Sequence, residues 1–196
     1  MMKLLFATQN KGKMKEVVEL FSSKGIEVLT LIGVEDIPDV IEDCDTFEGN
    51  AKKKADAFYD VFRIPVLADD SGLAVDQLDG APGVYSARYA GEDSTDEKNN
   101  KKLLNELTKY PKPHIARFVC CAVYFDGKSY ISSHGTIEGQ IIDLPRGENG
   151  FGYDPLFLPD GFNQTTAELS LIDKNKISHR AKAFSELAKE LSKIKK

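Results

Sequence analysis

The stretch Leu67-Ala68-Asp69-Asp70-Ser71-Gly72-Leu73 places two adjacent carboxylates, a hydroxyl and a glycine between short apolar runs. Residues 66–68 are typical of the end of a buried strand and residues 73–75 of the start of the next, so we predict a sharp turn over the four polar residues. Two neighbouring aspartates repel each other unless one is protonated or a cation lies between them. The pair therefore indicates a hard metal ion held by oxygen ligands, Mg²⁺ above all, and an ordinary solvated turn is the alternative.

Length, charge and cysteine usage limit the class of protein. The 196 residues suffice for a sizeable core, and we predict a single domain over residues 1–196. A net charge of −5 argues against a general binder of nucleic acid or of anionic membranes. The chain shows neither a membrane-spanning apolar run nor a secretory signal, so we expect a cytoplasmic protein. Cys44, Cys120 and Cys121 lack the spacing of a zinc site or of a disulfide framework.

A second polar segment lies near the start of the chain. Residues 3–7 predict a strand, and the apolar residues after Lys13 predict a helix closed by Gly25. The loop between them reads Thr8-Gln9-Asn10-Lys11-Gly12-Lys13. Backbone N–H groups at a helix start bind anions, so this loop is a candidate phosphate site. Its spacing is not that of a Walker A loop, and a capped helix with solvated lysines is the alternative.

The next segments predict a strand over 26–31, an acidic connector over 35–45 and a helix after Thr46 that carries Lys52-Lys53-Lys54. Most carboxylates of the connector must face water. Consecutive residues fan around a helix, so at most one or two of the lysines can face a shared site. We expect Lys52 and Lys53 to be solvated.

The second half of the chain predicts a long antiparallel hairpin over 115–142, with its turn at Asp126-Gly127. Together with the helices, this hairpin indicates a mixed α/β (α+β) fold with a central mixed sheet and flanking helices. We expect an active-site cleft between two lobes, beneath the hairpin.

Capping patterns predict three further helices. Ser94-Thr95-Asp96-Glu97 opens the first, Thr165-Thr166-Ala167-Glu168 opens a short second one, and Lys174 to Arg180 precede the last. Ser178 and His179 are not a nucleophile and its base, because adjacent residues of a helix point apart. Ser178 is expected to be an N-cap or a phosphate contact, with His179 and Arg180 facing the cleft.

A glycine-dense loop over 145–155 holds Phe151-Gly152-Tyr153-Asp154. Glycines beside an aromatic ring and an acceptor offer a planar base a stacking face and a polar group for its edge. A loop folded over its own aromatic side chains is the alternative.

Six segments, in this order, resemble the Ham1-type, or inosine triphosphate pyrophosphatase, family of house-cleaning nucleotide hydrolases. They are Thr8 to Lys13; Thr46-Phe47 with Asn50-Ala51 and Lys54-Ala55; Ala68 to Leu73; Gly80 to Tyr89; Phe151 to Pro155; and Ser178-His179-Arg180. The resemblance runs from Lys3 to the final helix. Gln9 departs from the glycine or asparagine that relatives often carry, and three consecutive lysines are unusually basic.

The resemblance implies a homodimer that hydrolyses ITP, dITP or XTP to the monophosphate and pyrophosphate with Mg²⁺. In the phosphate region it implies that Thr8, Gln9, Asn10, Lys11, Gly12 and Lys13 hold the triphosphate, with Lys54 and Ser71 also on phosphate. Asp70 would be general base and metal ligand, Asp69 would assist, and Glu42 would be the second metal ligand, with Asp43 as its rival. In the base region it implies that Phe151 stacks on the purine, that Gly152, Tyr153 and Asp154 complete the pocket, and that Lys174, His179 and Arg180 read the base edge.

The chemistry of the residues agrees with this division. Donors such as Lys174 and Arg180 satisfy a 6-oxo group but meet the 6-amino group of adenine donor to donor. Two other functions fit parts of the sequence. One is a pyrophosphatase for modified pyrimidine or methylated nucleotides, as in the similarly folded Maf-like group, and the other is a nucleotide sensor that never hydrolyses.

Overall fold

The computed structural model describes residues 2–22 and 24–194. The strands are β1 (Met2–Phe6), β2 (Ile26–Leu29), β3 (Val66–Val75), β4 (His114–Phe125), β5 (Tyr130–Ile141) and β6 (Phe157–Pro159). The helices are α1 (Lys11–Phe21), α2 (Phe47–Phe62), α3 (Asp96–Leu107), α4 (Leu171–Ile177) and α5 (His179–Ile194). The strands form one six-stranded sheet in the order β2-β1-β3-β4-β5-β6. β1 is parallel to β2 and β3, whereas β6 is antiparallel to β5, so the predicted mixed sheet with flanking helices is confirmed.

The chain divides into two compact units. The first unit consists of the chain through Asp70, residues 120–135 and the C-terminal part from His179. The second consists of residues 71–119 and 136–178. Each unit draws on separated segments, and the expectation of one domain stays a prediction.

Aromatic and aliphatic side chains fill the core of the first unit. Phe6 and Phe21 both meet Phe184 of α5 edge to face, with ring centroids 5.5 and 6.1 Å apart. Edge-to-face pairs of this kind add to the stability gained by burying the rings. A further cluster packs the apolar face of α2, including Ala51 and Phe58, against β1 and β3. The part of β3 that carries Asp69 and Asp70 therefore packs against the apolar face of α2.

The core of the second unit is built around α3, the end of β3, the start of β4 and the end of β5. Leu103 and Leu107 of α3 are fully buried with Leu73 in one apolar cluster. Phe118 and Phe157 join the same cluster, their ring centroids 4.7 Å apart. This packing gives α3 a fixed place in the second unit.

The predicted turn over residues 69–72 is wrong. β3 continues without a break through all four residues to Val75. Turn-prone residues stay extended here because they continue a strand of the six-stranded sheet in which β4 is the next strand, whereas β1 pairs with β3 only at Val66 and Leu67. Two buried carboxylates therefore lie within a strand.

Helix starts follow the predicted caps closely. Thr46 caps α2 through the N–H of Gly49 at 3.1 Å, as the sequence predicts. α3 is capped by Thr95, which accepts a hydrogen bond from the N–H of Lys98 at 3.2 Å, and not by Ser94. The capping prediction for α3 is therefore wrong by one residue.

Residues 165–168 form a turn, so the short helix predicted there is wrong. Glu168 does accept a hydrogen bond from the N–H of Thr165 at 2.7 Å, which is half of a capping box. The N–H of Thr166, however, donates to the carbonyl of Phe157 at 3.0 Å, and this pairing competes with a helical turn. β2 also ends at Leu29, two residues before the predicted end.

The long hairpin is confirmed. β4 and β5 have twelve residues each and are joined by residues 126–129. Asp126 closes the turn by accepting from the N–H groups of Lys128 and Ser129 at 2.9 and 2.8 Å. Within the part of the chain described, no helix combines the length and apolarity needed to cross a membrane.

Candidate active site

Asp69 and Asp70 are adjacent on β3, and both are buried. Consecutive side chains of a strand point to opposite faces of the sheet, so the two carboxylates do not face each other. Lys13 and Arg180 contact Asp69 Oδ2 at 3.1 and 3.3 Å. Asn50 Nδ2 donates to Asp70 Oδ2 at 2.9 Å. The fold thus directs the two aspartates to opposite faces of the sheet. The sequence alone showed only that adjacent carboxylates would repel each other.

Cations keep Asp69 ionised. Burial alone would raise the pKa of its carboxyl group, but Lys13, Arg180 and Lys54 outweigh burial and hold that pKa below its ordinary value. A carboxylate with so low a pKa is a poor proton acceptor near neutral pH. Asp69 is therefore suited to fixing Lys13 and Arg180 in place.

Asp70 has the opposite character. Burial raises the pKa of its carboxyl group, Lys13 and the hydrogen bond from Asn50 lower it in part, and Glu42 raises it again. The net pKa lies above the ordinary value for aspartate. A carboxylate of raised pKa is the better general base of the two.

Lys54 connects the acidic connector to β3. Its Nζ lies 3.0 Å from Glu42 Oε1 and donates to the backbone carbonyl of Asp69 at 3.1 Å. Lys54 is buried, whereas the side chain of Lys53 is 41% exposed and lies 2.5 Å from the carboxylate of exposed Asp43. The charge of Glu42 raises the pKa of Asp70, and the choice between Glu42 and Asp43 as metal ligand stays a prediction.

The described residues 2–22 and 24–194 contain no group of three histidine, cysteine or acidic side chains arranged to hold a metal ion. Asp70 and Glu42 offer two carboxylates close enough to interact electrostatically. Mg²⁺ is commonly held by one or two carboxylates, with water and substrate phosphate supplying the remaining oxygens. The residues present therefore fit a magnesium ion that arrives with a phosphate substrate.

The N-terminal loop forms a capped helix start. Asn10 Oδ1 accepts from the N–H of Lys13 at 3.0 Å, and Thr8 Oγ1 accepts from the N–H of Asn10 at 3.2 Å. Gln9 and Lys11 are exposed. Gly12 lies in the first turn of α1. The next residue, Lys13, lies beside Asp69. Free N–H groups at a helix start attract anions, so the geometry is compatible with phosphate, and binding by this loop stays a prediction.

Arg180 is 1% exposed, and its expected place facing a cleft stays a prediction. Its Nη1 lies 2.5 Å from Glu16 Oε2, in addition to the contact of Nε with Asp69. A guanidinium can be buried only when carboxylates or other acceptors compensate its charge, and here they do. His179 is also buried, and Ser178 lies directly before α5 at the end of α4. Their contacts with a base or a phosphate stay predictions.

Glu16 and Asn50 are the polar residues of this cluster that sequence reasoning missed. Both are buried, at 2% and 0% exposure. Glu16 is followed by buried Val17 on α1, so an acidic residue within an apolar helix face was the available signal. Glutamate and asparagine are usually exposed, which is why neither stood out.

In the second unit, Asp154 organises the glycine-dense loop. Its Oδ2 accepts from Lys174 Nζ at 2.5 Å and from the N–H of Phe151 at 2.9 Å. Thr166 Oγ1 donates to Oδ1 at 2.9 Å. A Cβ on Gly150 would lie 2.1 Å from Asp154 Oδ2, and φ there is +78°, so only glycine fits. The carboxylate therefore serves the loop itself, and its reading of a base edge stays a prediction.

Other predicted base residues lie around Asp154. Lys174 Nζ is 4.9 Å from the centre of the half-exposed Phe151 ring. Tyr153 is buried, and its hydroxyl donates to the backbone carbonyl of Ser86 at 2.9 Å. Phe151 is thus only partly buried, while the hydrogen bond of Tyr153 to Ser86 fixes the loop. Ser71, in the same unit, is partly buried on β3.

The electrostatics of Asp69 predict an acid-sensitive fold. A carboxyl group whose pKa is lower in the folded chain than in the unfolded chain stabilises the fold at pH values above its unfolded pKa. That stabilisation is lost as the pH falls. We expect the free energy of unfolding, measured in urea, to fall below about pH 4 and to fall less steeply in Asp69→Asn. Exposed Asp39→Asn serves as control and should retain the wild-type profile. Parallel profiles for wild type and Asp69→Asn would refute the assignment.

Comparison with known proteins shows the family of this chain. The sequence model of the Ham1 family matches residues 4–190. The dITP/XTP pyrophosphatase of Geobacillus kaustophilus is 47% identical over 196 residues, 99% of this chain and 96% of the relative. The protein of the same name from Geobacter sulfurreducens is 47% identical over 194 residues, 97% of each chain.

Two solved structures of Ham1 proteins have the same fold as this chain. The Ham1 protein of Staphylococcus aureus superposes with a TM-score of 0.84 at 39% identity, covering 97% of this chain and 98% of that one. A HAM1 protein from Coxiella burnetii superposes with a TM-score of 0.88 at 37% identity, covering 98% of this chain and 100% of that one. With a matching fold, a matching sequence model and relatives close to half identical along their whole lengths, this chain belongs to the Ham1 family.

Proposed function

We propose that this protein hydrolyses non-standard purine nucleoside triphosphates, namely ITP, dITP and XTP, to the monophosphate and pyrophosphate, and so cleanses the nucleotide pool. The buried pair of Asp69 and Asp70, with Lys13 and Arg180 on the carboxylate of Asp69 and a raised pKa at Asp70, is the observation that supports the reaction type. The relatives named dITP/XTP pyrophosphatase support the substrate class.

Magnesium is the proposed cofactor, with Asp70 and Glu42 as its protein ligands. When bound, the ion would neutralise charge on the phosphate oxygens and make pyrophosphate a better leaving group. The electrostatic influence of Glu42 on Asp70 supports this pair.

Side chains of this protein would supply the remaining chemistry. Asp70 would orient the attacking water and take its proton, a role that a raised pKa favours. Lys54 and Lys13 would neutralise phosphate oxygens, joined by the loop of residues 8–13 and by Ser71. No covalent intermediate is required, because water itself attacks the α-phosphorus. Asp69 would assist by holding Lys13 in position.

The residues around Asp154 would select the base. Phe151 would stack on the purine, and Gly152, Tyr153 and Asp154 would shape its surroundings. Lys174 and His179 would donate to a 6-oxo group, a contact that the 6-amino group of adenine cannot accept. Arg180 would act on the base only if its contacts with Glu16 and Asp69 rearrange, so we assign it first to positioning Asp69.

We further propose a homodimer and a cytoplasmic location. The homodimer follows from the resemblance to the family. The cytoplasmic location follows from that resemblance and from the location of the substrate pool. Cys44, Cys120 and Cys121 are free thiols, which suits a reducing compartment.

A magnesium-dependent assay on ITP, dITP, XTP, ATP and GTP tests the proposal, with pyrophosphate and orthophosphate measured separately. We expect pyrophosphate from the first three nucleotides and little product from ATP or GTP. Orthophosphate release, equal use of ATP, or absence of turnover would contradict the proposal. Omission of Mg²⁺ should abolish turnover.

Lys54→Met is expected to lower kcat/KM for ITP about 100-fold. The substitution removes a buried charge that lies against Glu42 and Asp69, and a charge-assisted contact to phosphate contributes about 1.5–3 kcal/mol. Steady-state kinetics on ITP measures the effect. Lys53→Met removes a neighbouring exposed lysine and should change kcat/KM less than about two-fold. Equal losses in the two variants would contradict the role of Lys54.

A further inference from the structure

Two side chains of α3 hold the backbone of Gly152 from one side. Asp96 Oδ2 accepts a hydrogen bond from the N–H of Gly152 at 2.6 Å. Asn100 Nδ2 donates to the carbonyl of Gly152 at 3.0 Å. Asp96 and Asn100 are four residues apart, so they lie on the same face of the helix. One helix face therefore binds both polar groups of a single loop residue.

These two hydrogen bonds fix the peptide planes on either side of Gly152. The N–H belongs to the peptide that follows Phe151, and the carbonyl belongs to the peptide that precedes Tyr153. Gly152 has φ +61° and Gly150 has φ +78°, so both flanks of Phe151 are glycines in the left-handed region. Glycine has little conformational preference of its own. The direction of the Phe151 ring thus depends on hydrogen bonds to its neighbouring peptides.

The other peptide of Phe151 is fixed from a different element. Its N–H donates to Asp154 Oδ2, and that carboxylate is held by Lys174 and Thr166. The loop is therefore held on one side by the group around Asp154 and on the other by α3. Loss of either side would leave Phe151 to be ordered when a base binds, and such ordering weakens binding.

α3 is a rigid support for these contacts. Leu103 and Leu107 anchor its apolar face in the core of the second unit. Asn99 accepts from the N–H of Ala90 at 2.7 Å and donates to the carbonyl of Ala87 at 3.1 Å. Asp96 and Asn100 are thereby held in place before any ligand binds.

We propose that Asp96 and Asn100 are positioning residues for base recognition, because they hold both peptide groups of Gly152 and so fix the ring of Phe151 against which a purine stacks. The inference rests on the proposed function and adds to it two residues of α3. Both side chains contact Gly152 of the loop proposed to bind the base, and neither is among the residues proposed for the phosphates or the attacking water, so we expect their effect on binding and base preference and not on the chemical step.

Substitution on α3 tests the inference. Asp96→Ala and Asn100→Ala are each expected to raise KM for ITP about ten-fold and to reduce the preference for ITP over ATP, while kcat changes less than about three-fold. Asp96→Asn keeps an oxygen that accepts from the N–H of Gly152, and it should restore KM to within about three-fold of wild type. Lys101→Ala, an exposed neighbour on the same helix, is the matched control and should leave KM unchanged.

Asn100→Asp keeps the size of the side chain and provides a second variant if the alanine variants unfold. Its carboxylate repels the carbonyl of Gly152, so KM should rise at least as much as in Asn100→Ala. Binding of IMP, followed by calorimetry, should weaken in parallel with the rise in KM.

Unchanged KM and base preference in the α3 variants, a loss confined to kcat, or an Asp96→Asn variant as impaired as Asp96→Ala would each overturn the inference. Failure of the proposed function looks different, because the wild-type protein would then release no pyrophosphate from ITP and bind no IMP. That result would overturn both proposals, whereas wild-type turnover with unaffected α3 variants overturns only the role of Asp96 and Asn100.

Discussion

Asp70→Asn is expected to lower kcat for ITP about 1,000-fold while KM changes less than about five-fold. A positioned general base contributes typically 10²–10⁴ to the rate. The amide is nearly the same size as the carboxylate but cannot take a proton from water, and it is a weaker ligand for Mg²⁺. Steady-state kinetics at saturating Mg²⁺, with pyrophosphate as the measured product, gives both constants.

The structure explains why a loss of kcat is expected from substitution of Asp70 as the general base and not of Asp69. Burial holds the pKa of Asp70 above the ordinary value, whereas the cations around Asp69 hold the pKa of that carboxyl group below it. Asp43→Asn is the matched control, because Asp43 is an exposed carboxylate of the same connector as Glu42 and pairs with Lys53. Turnover within ten-fold of wild type in Asp70→Asn would exclude Asp70 as the base.

The parts of the fold that could be predicted are those set by local chemistry. α2 begins where Thr46 caps it, at the predicted start, and ends where Arg63 adopts a left-handed conformation at φ +53°. Asp126 likewise closes the predicted hairpin turn with its own side chain. In both places the residues that define the element also make the contacts that stabilise it.

Prediction failed where distant contacts override local preference. Residues 69–72 have the composition of a turn but remain extended, because they continue β3 beside β4 in the sheet. Residues 165–168 have half of a capping box, yet Thr166 pairs with Phe157 and the chain turns without forming a helix. Neither pairing partner can be identified from a short window of sequence.

The residues of the candidate site likewise divide into those that local sequence could indicate and those that depend on distant contacts. The sequence singled out Asp69, Asp70 and Lys54, because adjacent carboxylates and lysine runs are unusual enough to notice. It also predicted that Arg180 faces a cleft, whereas the structure encloses this side chain in protein, at 1% exposure. What the sequence could not show is that Glu16, more than 160 positions earlier, lies beside that guanidinium. The burial of one charge is understandable only when its partner is known.

Glu16→Gln is therefore expected to destabilise the fold by about 3 kcal/mol, because removing one partner of a buried ion pair leaves the other charge poorly compensated. Arg180 would keep Asp69 at 3.3 Å, so the loss should stay at the low end of the range for buried pairs. Urea unfolding at neutral pH measures the change in free energy, and an unchanged m-value shows that the extent of unfolding is the same.

Glu19→Gln provides the comparison for Glu16→Gln. Glu19 is exposed on the same helix, one turn further along, so its substitution should change stability by less than about 0.5 kcal/mol. A loss of that small size in Glu16→Gln would mean that Asp69 alone compensates the guanidinium. The larger expected loss would instead identify Glu16 as the residue that allows Arg180 to be buried beside Asp69, which in turn holds Lys13 next to the carboxylate pair.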